Sequence, residues 1–312
     1  MLGVMGRNQV ALLGKAPCQG DFIRWNAADP VSQAFHRWLE ESHEAVRRAN
    51  TQLSSLPTGF VFTVPGGRQV LVGTLATSTD KVGRVFPLAV YVVIDAAGAA
   101  EHFASLPDSF RPFLAAGSQL LADAATLSVS DLEARVSGLA AVSSGDSMGA
   151  EAQKRRVLGS PVAPLVQQFQ ADGAPAGAQY YAFNTFVKAC QAEQGKEPSK
   201  PGVTLECPFP EALGPYGWLE LARRQLRWRT LPPAMFWHLG PAPRLFLSIG
   251  TPGPAVLMHL AKPGHSSMKV WPLHTKQASA IESARNALSP PRRQALEDPS
   301  TTVEAFLSAF GT

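Results

Sequence analysis

The chain is poor in cysteine, in charge and in long apolar runs. Its 312 residues hold 3 cysteines, and Cys18, Cys190 and Cys207 lie far apart with no CxxC spacing. An odd, scattered set excludes a disulfide framework and supplies no structural zinc site. Charged residues make up 17% and the net charge is +4 at pH 7. Lys and Arg are interspersed with acids, which is not the concentrated basic face of a nucleic-acid binder. The longest apolar run, Val85–Ile94, falls well short of the roughly 20 residues that span a bilayer. Met1–Gln9 has no charged stretch followed by a sustained apolar core, so no signal peptide is expected. These absences together lead us to expect a soluble, cytoplasmic protein with no nucleic-acid partner and no membrane insertion.

Catalytic and cofactor signatures are equally scarce. There is no HExxH, no EF-hand loop and no GxGxxG after a strand-like run. Gly14-Lys15 and Gly20-Asp21 invite comparison with a phosphate loop, but Walker A needs GxxxxGK followed by Ser or Thr. Here the lysine comes first and Ala16-Pro17 follows it, so the spacing fails. Gly145-Asp146-Ser147-Met148-Gly149 does satisfy GxSxG. A nucleophile elbow needs a buried strand leading in and a helix leading out, whereas Ser130–Val142 before it is helical by pattern. Asp172, His238, His259, His265 and His274 follow as candidate acid and base, none in a distinctive setting. A serine hydrolase using Ser147 therefore stays as the alternative function, and no metal or cofactor is expected.

Apolar residues make up 45%, enough for a full core, with 26 glycines and 26 prolines punctuating the loops. Gln9–Leu13 reads as a first strand. Asp29-Pro30 starts a helix, with Asp as N-cap and Pro at the first helical position. Val31, Phe35, Trp38, Leu39 and Val46 then form one stripe, with Glu40, Glu44, Arg47 and Arg48 opposite. Phe60–Val64 and Gln69–Ala76, separated by Pro65-Gly66-Gly67, read as a hairpin. Phe86–Ile94 is apolar on both alternations, the mark of a strand covered on both faces.

Helices are expected over Asp108–Ala122, Ser130–Val142, Pro161–Phe169, Gln179–Gln191 and Tyr216–Trp228. Ser143–Gly149 and Ala171–Gly177 read as surface loops. Strands are expected at Val203–Cys207, Met235–Leu239 and Arg244–Ile249. From Lys276 the chain turns polar, with a short helix inside Ser300–Phe310. The expected fold class is α/β: a three-layer α/β/α sandwich with a mixed, largely antiparallel central sheet and helices on both faces. One domain would cover residues 1–275, with a helical insertion around 108–200 and a polar tail over 276–312. Arg223, Arg224 and Arg227 read as a solvated face, with nucleic-acid or anionic-lipid binding as a weaker option.

Two stretches combine glycine and charge beside apolar segments: Gly14-Lys15-Ala16-Pro17-Cys18-Gln19-Gly20-Asp21-Phe22 and Asp80-Lys81-Val82-Gly83-Arg84-Val85-Phe86-Pro87-Leu88. A charge beside a core must be paired, hydrogen-bonded or wet. Lys15, Gly20, Asp21, Asp80, Lys81, Gly83 and Arg84 are the candidate site. Either they bind a partner, or an Asp–Arg bridge, with Asp21 and Arg84 as the pair, ties the two loops together. The sequence leans slightly to the bridge.

In this order the two stretches resemble the type VI secretion-associated TagF family, also called ImpM, with Asp80, Val82, Gly83, Arg84, Phe86, Pro87 and Leu88 matching in place. Pro233-Ala234-Met235-Phe236-Trp237-His238-Leu239-Gly240 is similar to the family's later tryptophan-containing strand. The likeness covers roughly residues 8–260. It departs at Leu12-Leu13, where the family has an aromatic residue, and at Glu151–Lys200, which is longer than usual. A fused phosphatase domain, found in some relatives, is not expected here, since the sequence is too short for one and lacks its metal-binding aspartate motifs. The resemblance implies a three-layer α/β/α fold and a non-catalytic accessory protein that regulates type VI secretion after translation, usually as a repressor. It implies other secretion components as partners, first among them a forkhead-associated scaffold protein; a homodimer stays open.

Overall fold

The structure is a computed structural model that describes residues 8–170, 174–196, 198, 202–238, 242–265 and 267–311. Met1–Arg7, Ala171–Gly173, Lys200, Leu239 and Gly240, which entered the expectations above, lie outside the described residues.

Nine strands form one sheet: β1 (Val10–Lys15), β2 (Phe22–Trp25), β3 (Thr58–Thr63), β4 (Gln69–Thr79), β5 (Val85–Asp95), β6 (Val203–Pro208), β7 (Ala234–His238), β8 (Arg244–Ile249) and β9 (Val270–Pro272). Their spatial order is β2-β1-β5-β4-β3-β7-β8-β6-β9. Every pairing is antiparallel except β6 with β9. The expected α/β class with a mixed, largely antiparallel sheet is therefore present.

Alternate side chains of a strand point to opposite faces, and here they enter two separate apolar clusters. Leu12, Val61, Val72, Val90 and Leu247 pack with Phe113, Leu132, Phe183 and Trp218 from the helical middle. Ala11, Leu13, Phe60, Leu71 and Tyr91 pack with Phe35, Trp38 and Leu39 from the first helix and with Leu257 and Leu260. That first helix spans Pro30–Arg48, and the Asp29 side chain accepts the Ser32 N–H as the N-cap pattern requires. The sheet halves meet where β3 pairs with β7, Gly59 opposite Trp237. A Cβ at Gly59 would lie 2.5 Å from the Trp237 indole, so the glycine makes the room in which that ring packs.

Several expectations are displaced. The expected helix over Ser130–Val142 runs Val129–Gly138 and is capped by Ser128, whose hydroxyl accepts the Asp131 N–H. A 3-10 turn, Leu139–Val142, follows it. Ser147–Gly159 is helical, so the expected loop Ser143–Gly149 is shorter. The segment from residue 276, expected as a polar tail with one short helix inside Ser300–Phe310, has that helix at Val303–Phe310 and two more before it, Ala278–Ala287 and Pro290–Glu297. Ile281, Leu288, Leu296, Phe306 and Phe310 enter the same cluster as the helical middle. Pro290-Pro291 opens the second of these helices, where prolines are tolerated because the first N–H groups need no intrahelical acceptor. No helix among the described residues is long and apolar enough to cross a membrane.

Candidate functional site

The two glycine-and-charge stretches meet at one corner of the sheet. β4 and β5 pair as far as Thr79 opposite Val85, leaving residues 80–84 as the tip of a long hairpin. The Asp80 N–H donates to the Arg84 carbonyl at 3.1 Å and the Gly83 N–H to the Asp80 carbonyl at 2.9 Å. Gly83 takes a φ of +85°, where glycine carries no Cβ penalty. On the other stretch, β1 approaches β5 so closely at Gly14 that a Cβ there would lie 2.0 Å from the Pro87 carbonyl oxygen. The glycine of the first motif is thus fitted to the proline of the second.

Asp80 ties the corner together. Its side chain is buried. One carboxylate oxygen accepts the N–H groups of Val82 (3.1 Å) and Arg84 (2.9 Å). The other accepts Lys15 Nζ at 2.9 Å and Arg84 Nε at 2.6 Å. Arg84 also donates to the Gly20 carbonyl, and the Lys81 N–H donates to the Gln19 carbonyl at 3.0 Å. Burial pushes the Asp80 carboxyl up. The Lys15 ammonium and the amide and guanidinium donors of Arg84 and Val82 outweigh it and hold the group well below the usual carboxylate range. Lys15 is itself buried, its ammonium 5.2 Å from the Phe22 ring centre.

The expected bridge between the loops exists, but with different partners. Lys15, Asp80 and Arg84 form it, whereas Asp21 is exposed and accepts the Phe22 N–H at 2.7 Å. Asp21–Arg84 pairing is therefore not observed: Asp80, four residues before Arg84, meets its guanidinium first and adds two turn hydrogen bonds that Asp21 cannot offer. Lys81, Gly20 and Gly83 are exposed. Val82 is 69% and Val85 45% exposed, so the knot presents two apolar side chains beside Lys81 and Arg84. With all four of its hydrogen bonds internal, Asp80 has no lone pair aimed at a ligand; the corner is built to hold a shape.

Ser147 lies elsewhere and in another setting. Asp146 caps the Ser147–Gly159 helix by accepting the Gly149 N–H at 2.8 Å. A Cβ at Gly149 would lie 2.2 Å from the Asp146 carboxylate. The capping geometry thus accounts for Asp146 and Gly149, and the segment leading in is a 3-10 turn instead of the strand an elbow needs. Arg223 and Arg224 are not a free basic face: both clamp the buried Glu220, Arg223 bidentately at 2.7 Å. Among the described residues, no three His, Cys, Asp or Glu side chains are grouped to hold a metal ion.

One part of the corner had escaped sequence reasoning. Phe22–Trp25 forms the edge strand β2, registered residue for residue on β1 from Leu12 opposite Trp25 to Lys15 opposite Phe22. The only signal was the four-residue run Phe-Ile-Arg-Trp directly after Gly20-Asp21, too short for alternation to separate strand from helix.

Residues 11–139 match the model of the TagF N-terminal domain, described as type VI secretion system-associated. No curated protein matches the chain. Among solved structures, the crystal structure of PA0076 from Pseudomonas aeruginosa PAO1 aligns at 22% identity and a TM-score of 0.36, covering 43% of this chain and 62% of that one. Every residue of the Lys15–Asp80–Arg84 knot falls inside the matched segment, so the corner lies in the part of the chain, residues 11–139, that is similar to the TagF N-terminal domain.

Proposed function

We propose that the protein is a non-catalytic, cytoplasmic accessory of a type VI secretion machine that represses secretion after translation by binding another component through the Lys15–Asp80–Arg84 corner. The observation that carries this reading is a buried, saturated carboxylate fixing an exposed tip, with Val82 and Val85 uncovered beside Lys81 and Arg84. A loop held in its bound shape beforehand loses less conformational entropy on association. Exposed apolar side chains rimmed by cations suit a protein partner better than a small substrate. The family resemblance puts a forkhead-associated scaffold protein first among the partners.

The test is a strain carrying Val82→Asp at normal protein level, read by export of the secretion tube protein and by capture of secretion components on the tagged chain. Repression through the corner predicts increased export and lost capture, with Arg84→Ala giving a smaller change in the same direction. Unchanged export and capture in both variants overturns the reading.

A further inference from the structure

The nine-stranded sheet ends in two edges, and they are finished differently. At the β9 edge the outward backbone is already used. The Val270 N–H donates to Ser267 Oγ at 3.1 Å, and the Val270 carbonyl accepts the Ser267 N–H at 3.0 Å. Pro272, the last residue of β9, has no N–H at all. An edge closed in this way cannot template another strand. At the opposite end, β2 has β1 on one side and no strand on the other among the described residues. It contains no proline, and its four residues hold unbroken register with β1; its Phe22 N–H is already taken by Asp21 Oδ1 at 2.7 Å, which leaves Arg24 as the residue whose outward N–H and carbonyl an added strand would meet.

The ground beside β2 is shaped and charged. Helix Pro30–Arg48 passes over this end of the sheet, and its Gln33, His36 and Arg37, spaced i, i+3, i+4, line a groove of about 340 Å³ together with Leu13 and Arg24. A strand added to β2 would lie about 4.8 Å outside it, with every second side chain directed toward the helix layer. Arg24 and Arg37 are both exposed. Arg24 lies 5.8 Å from the Phe22 ring centre, and neither arginine enters an ion pair among the described residues, in contrast to Arg47, Arg48 and Arg84. Two unpaired guanidinium groups over one groove are complementary to carboxylates, and guanidinium is the cation best suited to them. A second copy of this chain fits poorly, because antiparallel pairing of β2 with β2 would bring Arg24 close to its own copy.

We propose that β2 is a docking edge for an extended acidic segment of a partner protein, which adds as a tenth strand and sets the carboxylates of alternate residues against Arg24 and Arg37. This inference rests on the reading of the chain as a binding protein and names the chemistry of what it binds. The backbone of β2 supplies strand addition, and the groove supplies the preference for acid.

Fluorescence anisotropy with the purified full chain tests it. The probes are labelled octapeptides of alternating Glu and Val or of alternating Lys and Val. Two further Glu–Val peptides are N-methylated, one at every Glu and the other at every Val, so that each lacks the N–H groups of one backbone edge. The acidic peptide is expected to bind at least about tenfold more tightly than the basic one, a gap that fails at high salt. Arg24→Glu with Arg37→Glu should reverse the preference, and Arg37→Glu alone, on an exposed helix face, should reduce it. One of the two methylated peptides should lose binding while the other keeps it. No preference for acid, an unchanged preference in the charge-reversed variants, or equal binding of both methylated peptides overturns the proposal. The assay contains no secretion component, so its failure leaves the corner's role in secretion standing, and normal export in the Val82→Asp strain leaves the peptide result standing.

Discussion

Asp80 accepts two backbone and two side-chain hydrogen bonds from Lys15, Val82 and Arg84, and it titrates well below an ordinary aspartate because of them. A depressed folded pKa stabilises the fold at pH values above the unfolded value, about 3.9, and the contribution is lost as pH falls below that toward the folded pKa. Urea unfolding of wild type and Asp80→Asn should therefore show the variant less stable at pH 7, with the gap closing between about pH 4 and pH 2. A constant gap across that range would mean that the carboxylate charge contributes nothing. The motif residues were legible because glycine and charge beside a core are unusual together. The pairing was not, since a sequence shows which acids and bases are near in the chain but not which carboxylate is turned inward. Asp21 differs from Asp80 only in that its side chain turns back to the Phe22 N–H and stays in solvent. At Gly14, a φ of +131° and the Pro87 carbonyl both exclude a Cβ. Gly14→Ala should cost about 1–3 kcal/mol or more in chemical denaturation.

Among the elements, those with strong periodicity stood out in the sequence, and those whose cores are small or polar did not. The Pro30–Arg48 helix and strands β4 and β5 carry long apolar stripes and sit within a few residues of expectation. Helix Ser147–Gly159 buries only Ala150 and Val157, and helix Ala278–Ala287 only Ile281 and Ala284, so neither has a stripe to read. Strand β9, at three residues, is too short to show any period. The seam between β3 and β7 gives the element-scale prediction. Gly59→Ala drives a methyl into the Trp237 ring and should destabilise by about 1–3 kcal/mol, the usual range for overpacking. In a Trp237→Leu background most of that cost should vanish, a coupling above about 0.5 kcal/mol in a double-mutant cycle. Additive costs would place the strain elsewhere.

Over the whole molecule, the last helices are part of the body of the protein. Phe306 is 5.0 Å from Phe183 and 4.7 Å from Phe310, ring centre to ring centre, and Phe183 stacks on Trp218 at 4.9 Å. Gln225 and Arg292 both donate to the Phe310 carbonyl, which ties the chain end to the helical layer. Polar composition hid this, because a helix covering a core from outside needs only one apolar stripe. Phe306→Ala should cost about 3–5 kcal/mol, a large part of the roughly 5–15 kcal/mol that holds a domain together, and should make the segment after residue 275 an early site of proteolysis. If the variant melts like wild type, these helices are not integral. Under the proposed function, a fixed corner of this sheet would be where the protein meets the secretion machine. The most direct measurement of this is capture of secretion components from cells on tagged wild type and on Val82→Asp, with equal melting temperatures established first. The account predicts that a component held by wild type is lost from the variant, whereas the same components captured in the same amounts on both would contradict it.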